Sequence, residues 1–178
     1  FVMLPRNARM RHPLVEERTR KLAEFADSFA GNEIILQETD IGIIASGTSY
    51  QYARESFPAK SFLKLSMVHP LPAKKIKEFA GKVKKLYVIE ELDPFYEEQI
   101  KALGIDVTGK EVFPICGEFN PATADAGIAG IRLKKEEKPL LDYIPARPPN
   151  MCPGCPHRGI FHTLKTMKLF VSGDIGCY

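Results

Sequence analysis

Short apolar runs, each followed by an amphipathic stretch, constrain this chain more than any other feature. They are Ile41-Gly42-Ile43-Ile44-Ala45, Phe62 to Val68, and Leu86-Tyr87-Val88-Ile89. Each has strand length without the alternation of a half-solvated strand, so the sheet they build must be buried on both faces. The first run leads through Ser46-Gly47-Thr48 into an expected helix from Ser49 to Ser56. The second leads through His69-Pro70-Leu71-Pro72 into a helix containing Ile76, Phe79 and Ala80. The third closes at Glu90-Glu91, and Asp93-Pro94 opens a helix to Leu103, with Asp93 as cap and Pro94 in the first turn. Gly104 stops that helix, and Ile105 to Thr108 is expected as a fourth strand. Strand–helix repeats of this length imply parallel strands joined by right-handed crossovers. The expected fold class is therefore α/β, a small three-layer domain on a parallel sheet, covering residues 38–116.

The 178 residues fit one or two domains. Ahead of the sheet, residues 1–37 read as a linker with an amphipathic helix after Pro13, in which Leu22, Phe25, Ala26 and Phe29 fall at helical spacing until Gly31-Asn32 ends it. Residues 117–149 read as a short helix, capped by Asn120 with Pro121 in its first turn and ending near Gly130, followed by a connector. That connector carries the charged run Lys134 to Lys138 and then Pro139, Pro145, Pro148 and Pro149, too many prolines for a sheet interior or the middle of a helix. A second unit, residues 150–178, begins at Asn150.

Charge and length exclude some classes. The formal net charge is only +3, from 25 basic and 22 acidic residues that alternate along the chain, which argues against nucleic acid and anionic membranes as partners. No apolar run approaches the roughly 18 residues of a membrane span, and no secretory signal precedes the first element. A cytoplasmic protein is expected, so the four cysteines argue against a disulfide framework. The opening Phe1-Val2-Met3-Leu4-Pro5 and the closing Gly173-Asp174-Ile175-Gly176-Cys177-Tyr178, which reads as a strand entering a turn, suggest an internal piece of a longer chain.

Within the α/β region, Ser46-Gly47-Thr48 sits where a strand meets a helix N-terminus but lacks both phosphate-loop spacings, and reads as a tight turn. Glu90 and Glu91, adjacent on a strand end, point to opposite faces and cannot share one proton, so capping, solvent exposure or a domain contact is the expected role. His12 and His69 read as structural, and Cys116 as a buried thiol. The tail differs. Met151-Cys152-Pro153-Gly154-Cys155-Pro156-His157-Arg158 is followed by a helix with Ile160, Phe161, Leu164, Met167 and Leu169, then by a strand from Phe170 that ends at Cys177. A C-x-x-C turn brings two thiolates to one metal or cluster. Pro156 holds the place that a c-type haem site gives to histidine. A thioredoxin-like pair would follow a strand, where this chain has prolines. Structural zinc on Cys152, Cys155, Cys177 and His157 or His162 remains, as does an iron–sulfur cluster whose fourth ligand lies outside the chain. Spacing alone does not separate those two.

The strings Cys-Pro-Gly-Cys-Pro-His-Arg at 152–158 and Gly-Asp-Ile-Gly-Cys-Tyr at 173–178 resemble the opening of the diphosphate-binding domain of 2-oxoacid:ferredoxin oxidoreductases, most nearly the alpha subunits of the indolepyruvate branch. Residues 1–13 are similar to the linker after that family's pyrimidine-binding domain. Val68-His69-Pro70-Leu71-Pro72 with Val88-Ile89-Glu90-Glu91 resembles its transketolase C-terminal-like domain. The resemblance implies that residues 150–178 are the truncated start of a thiamine diphosphate-binding domain. It also implies an enzyme that decarboxylates an aryl pyruvate oxidatively, transfers the acyl group to coenzyme A and passes electrons through iron–sulfur clusters to ferredoxin, with a beta subunit as partner. It maps a proximal cluster to Cys152, Cys155 and Cys177, and thiamine contacts to Ile175, Gly176, Cys177 and Tyr178. The family's magnesium motif is absent, so the chain taken alone is expected to be inactive. The rival reading is a noncatalytic α/β binding module with structural zinc in its tail.

Overall fold

The computed structural model describes residues 4–131 and 151–173. Two units divide the chain, residues 1–134 and residues 135–178. In the first, the elements run α1 (Pro5–Ser28), β1 (Glu33–Ile35), β2 (Glu38–Ser46), α2 (Gly47–Ser56), β3 (Lys60–Leu65), α3 (Ala73–Ala80), β4 (Lys85–Ile89), α4 (Phe95–Ala102) and α5 (Pro121–Ala129). The second contains α6 (His157–Thr166). Among the described residues no helix is long and apolar enough to cross a membrane.

The sheet has the order β1-β3-β2-β4. Strand β2 is central and parallel to both neighbours, with Ile43 opposite Phe62 on one side and Tyr87 on the other. Period-two alternation sends its residues to two cores. Ile43 and Ala45 join Phe62, Tyr87 and Ile89 beneath α2 and α5, through Tyr50, Ala53 and Ala124. Ile44 joins Leu63, Leu65 and Val88 beneath α3 and α4, through Ile76, Phe79 and Ile100. The expected three-layer α/β fold is what these residues build. At about 25 cal/mol per Å² of apolar surface, each large side chain buried here contributes about 1.5–3 kcal/mol.

Several local expectations are corrected. The fourth strand is β1, antiparallel to β3 with Ile34 opposite Leu63, and not Ile105–Thr108. Thr108 makes only a single bridge to Tyr87, because the chain then bends to bring the Lys110 amide onto the Glu97 carboxylate at 2.7 Å. Gly109 permits that bend: a Cβ there would lie 2.2 Å from the carboxylate oxygen. Helix α1 starts at Pro5 and runs through Pro13, which was expected to precede it. Proline 13 leaves one carbonyl of the preceding turn unbonded, on a stretch exposed to solvent that can hydrate it. Cys116 is exposed rather than buried. Helix α4 begins at Phe95, one residue later than Pro94 suggests, and Asp93 does not cap it through its side chain. By contrast α5 matches its reading closely. Asn120 caps it by accepting from the Thr123 amide at 3.0 Å, and Gly130 closes it in the left-handed region at φ 68°.

The end of α1 is tied to the sheet by polar contacts. Buried Asn32 donates to the Ala26 carbonyl (3.0 Å) and accepts from the amides of Ser66 and Met67 (2.9 Å each). Asp27 accepts from the Lys74 amide at 2.9 Å and so caps α3. Replacing Asn32 by alanine strands those two amide donors and the Ala26 carbonyl. We expect Asn32→Ala to lower the unfolding free energy by about 1–3 kcal/mol in urea titration; a loss near zero would mean water replaces the side chain.

Candidate functional site

Strands β2 and β4 are neighbours, yet α2 packs on one face of the sheet and α4 on the other. The chain therefore leaves the two strand ends in opposite directions, which opens a crevice at their C-terminal edge, the topological switch point of an α/β sheet. Ser46, Gly47, Thr48 and Ser49 line one wall and Glu90, Glu91, Phe95 and Tyr96 the other, around a volume of about 250 Å³. The Ser46 and Tyr96 hydroxyls bond across it at 2.6 Å.

The two glutamates diverge, as their strand positions require. Glu90 is buried and its carboxylate receives the Tyr96 amide at 2.8 Å and the Glu97 amide at 3.0 Å, so it caps α4 in the place expected of Asp93. Burial pushes the Glu90 carboxyl above its ordinary range, against the opposing pull of those two amides and of Lys110. Glu91 accepts from the Phe119 amide at 3.3 Å and braces the approach to α5. Next to this pair, burial raises Glu97, but its bond to Lys101 and the Lys110 amide outweigh that and hold it below the ordinary carboxylate range.

In the second unit, the Cys152-Pro153-Gly154-Cys155 segment is a tight turn. The Cys155 amide donates to the Cys152 carbonyl at 3.1 Å, and Gly154 adopts φ 76°. Proline at the second position and a positive-φ glycine at the third are the requirements of a type II turn. The turn sets the two thiols at its corners, Cys152 exposed and Cys155 partly covered, both free. Arg158 fixes the arrangement: its guanidinium donates to the carbonyls of Met151 and Cys152, the latter at 3.1 Å. Cys155 Sγ lies 3.5 Å from His157 Nδ1, and the His157 ring stacks on Phe161. Reading the residues in order does not reveal the Arg158 clamp, because it depends on where the turn carbonyls point.

Two thiols at the corners of one turn are donors of the kind that a soft metal or a cluster takes. Of the other residues assigned to the site, Ile175, Gly176, Cys177 and Tyr178 lie outside the described residues, so the structure brings together Cys152 and Cys155 alone. Among the described residues no group of three or more metal-ligating side chains forms. Residues 170–173, expected as the start of a strand, have no strand pairing.

The chain is similar in fold to a 2-oxoglutarate:ferredoxin oxidoreductase from Magnetococcus marinus, solved with 2-oxoglutarate, coenzyme A and succinyl-CoA bound. The TM-score is 0.52 over 72% of this chain and 24% of that one, at 19% identity. No family model matches the sequence. The indolepyruvate oxidoreductase subunit IorA of Archaeoglobus fulgidus is 35% identical over 99% of this chain and 32% of the relative. The IorA subunits of Methanothermobacter thermautotrophicus and Thermococcus kodakarensis are 31% and 32% identical over 100% of the chain. Over its whole length the chain is similar to these indolepyruvate oxidoreductase subunits, and it spans about a third of the length of the curated relatives it matches.

The Glu90 environment makes a pH prediction. A carboxyl raised in the folded state binds its proton at higher pH than the unfolded chain does. Its contribution to stability is then full below the unfolded value, about 4.3, and is lost as pH rises through the raised folded value. In urea titrations, the stability of wild type relative to Glu90→Gln should fall across that window and level off above it. A relative stability that rises with pH would show that the two amide bonds outweigh burial.

Proposed function

We propose that this chain is a segment of the larger subunit of a thiamine diphosphate-dependent 2-oxoacid:ferredoxin oxidoreductase acting on indolepyruvate. The observation that carries this reading is the Arg158-clamped Cys-Pro-Gly-Cys turn, found in a chain similar over its whole length to IorA subunits. The overall conversion takes the 2-oxoacid and coenzyme A to an acyl-CoA and carbon dioxide, with electrons leaving one at a time to ferredoxin. Thiamine diphosphate with its magnesium supplies the electron sink for decarboxylation, and an iron–sulfur cluster supplies the path outward.

The residues of this chain have narrower tasks. Cys152 and Cys155 present thiolates from one turn, and Cys177 is assigned as the third, with a fourth ligand elsewhere in the subunit. Ile175, Gly176, Cys177 and Tyr178 are assigned to contact the thiamine. One stretch contacting both centres gives electrons a short route between them. Helix α6 buries none of its residues within its own unit, and Ile160, Phe161 and Met167 stand exposed. That apolar set suits packing against the remainder of a diphosphate-binding domain. The sheet domain, residues 38–116 with its flanking elements, carries no reacting group in this reading, and the beta subunit is its proposed partner in the enzyme.

A second reading, a noncatalytic module with structural zinc, draws support from the imidazole of His157 beside Cys155. Anaerobic metal and sulfide analysis with a visible spectrum separates the two. The subject should be a polypeptide of the relatives' full length that carries this segment. Iron and sulfide in equal amounts, lost in Cys152→Ala and in Cys155→Ala, are the expected result; stoichiometric zinc without iron would overturn it. The 178-residue chain by itself is expected to show no indolepyruvate-dependent ferredoxin reduction. Turnover in a coupled assay would contradict the assignment of the missing cofactor groups to other parts of the enzyme.

A further inference from the structure

The histidine that follows the cysteine turn has a place that the reading above leaves without a task. Pro156 is the N-cap of α6 and His157 its first residue, two positions beyond Cys155. The Arg158 amide donates back to the Cys155 carbonyl at 3.1 Å, so the start of the helix is bonded to the turn itself. The imidazole stacks on Phe161, one helical turn on, with ring centroids 6.1 Å apart and planes 26° apart. Backbone and ring are thus both held, and they set Nδ1 3.5 Å from Cys155 Sγ.

On a free thiol either partner of that contact could donate. A sulfur bound to a metal or cluster has given up its proton and can only accept. The contact then survives as a hydrogen bond only where Nδ1 carries the ring hydrogen, which leaves the lone pair on Nε2. A histidine that itself ligates a metal ordinarily has its other ring nitrogen tied to a carboxylate or a carbonyl. Among the described residues Nε2 has no such acceptor. The imidazole therefore fits the role of donor to a ligand sulfur better than that of a ligand. Such a bond bears on electron transfer, because reduction adds negative charge to a cluster and its thiolates. An N–H aimed at one of those sulfurs stabilises the reduced form more than the oxidised one.

We propose that His157 acts through Cys155 as a positioning residue: its Nδ1–H donates to the Cys155 sulfur and raises the reduction potential of the cluster which that sulfur helps to hold. The hydrogen stays on the ring, so no proton accompanies the electron. The proposal rests on the cluster reading given above.

The experiment takes a polypeptide of the relatives' full length that carries this segment, kept anaerobic. It reads iron and sulfide content and the midpoint potential of the couple that is missing from Cys155→Ala. His157→Phe keeps a ring to stack on Phe161 and removes the donor. It should hold iron and sulfide at the wild-type level and shift the one-electron reduction constant about tenfold toward the oxidised form, about 59 mV lower. His157→Asn, whose amide nitrogen stands as many bonds from Cβ as Nδ1 does, should recover most of that shift. An unchanged potential in His157→Phe overturns the proposal while the cluster reading stands. Loss of iron in His157→Phe would make the imidazole a ligand and overturns it too. A wild-type polypeptide without iron and sulfide would remove the cluster reading itself, and this proposal with it.

Discussion

Everything in the first unit follows from burying β2 on both faces. A strand with Ile43 and Ala45 on one side and Ile44 on the other cannot be left with a wet face. Its neighbours must be parallel strands returned by helices, and those helices must cover opposite sides. Strand β3 is reached through α2 and β4 through α3, so the chain crosses from one flank of β2 to the other. The crossing forces the loops after β2 and β4 apart. The crevice is thus a consequence of hydrophobic burial, present before any polar residue is chosen to line it.

Polar side chains then finish the helix ends, and they come from far away in sequence. Asp27 at the end of α1 caps α3, Glu90 at the end of β4 caps α4, and Asn32 joins α1 to the end of β3. Each replaces a local cap: the residues preceding α3 and α4 are prolines, which have no side-chain acceptor to offer. Substituting a cap typically costs about 0.5–2 kcal/mol, and a buried carboxylate holding two amides is toward the upper end. Helix α2 has serine in the N-cap position and yet remains uncapped by it, because the hydroxyl is diverted to Tyr96.

These distant contacts also explain which features can be read from the chain. The buried strands and α2, α3 and α5 are legible because their signals are local: apolar runs, helical spacing, Asn120-Pro121 and Gly130. Strand β1 is three residues long, too short for any periodicity, and exists because β3 offers an edge. The Thr108 segment has the composition of a strand and loses that role to the pull of Glu97 on Lys110. Pro13 reads as a helix boundary, but a helix already begun at Pro5 carries it on an exposed face. Glu90 was legible as a residue without a catalytic partner, whereas its target, the amides of Tyr96 and Glu97, was not. The cysteine turn was legible because proline and glycine occupy the positions a type II turn demands. The part played by Arg158 was not, since it requires the turn to exist first.

The second unit inverts the energetics of the first. Its helix buries no residue, and among its described residues the contacts outside that helix are one turn, a guanidinium clamp and a ring stack. Contacts of that kind contribute about 1 kcal/mol each, which does not offset the ordering of some twenty residues at about 1–2 kcal/mol apiece. Such a segment needs either apolar cover for Ile160, Phe161 and Met167 or a bound group drawn onto its thiols. A metal or cluster binding only the folded form supplies its binding free energy directly to folding. For a segment so lightly held, loading the cysteines with the proposed metal or cluster and ordering the chain around them would be one equilibrium. In that case the Arg158 clamp, by holding the carbonyls of Met151 and Cys152, would lower the entropy lost when the two thiols are brought together.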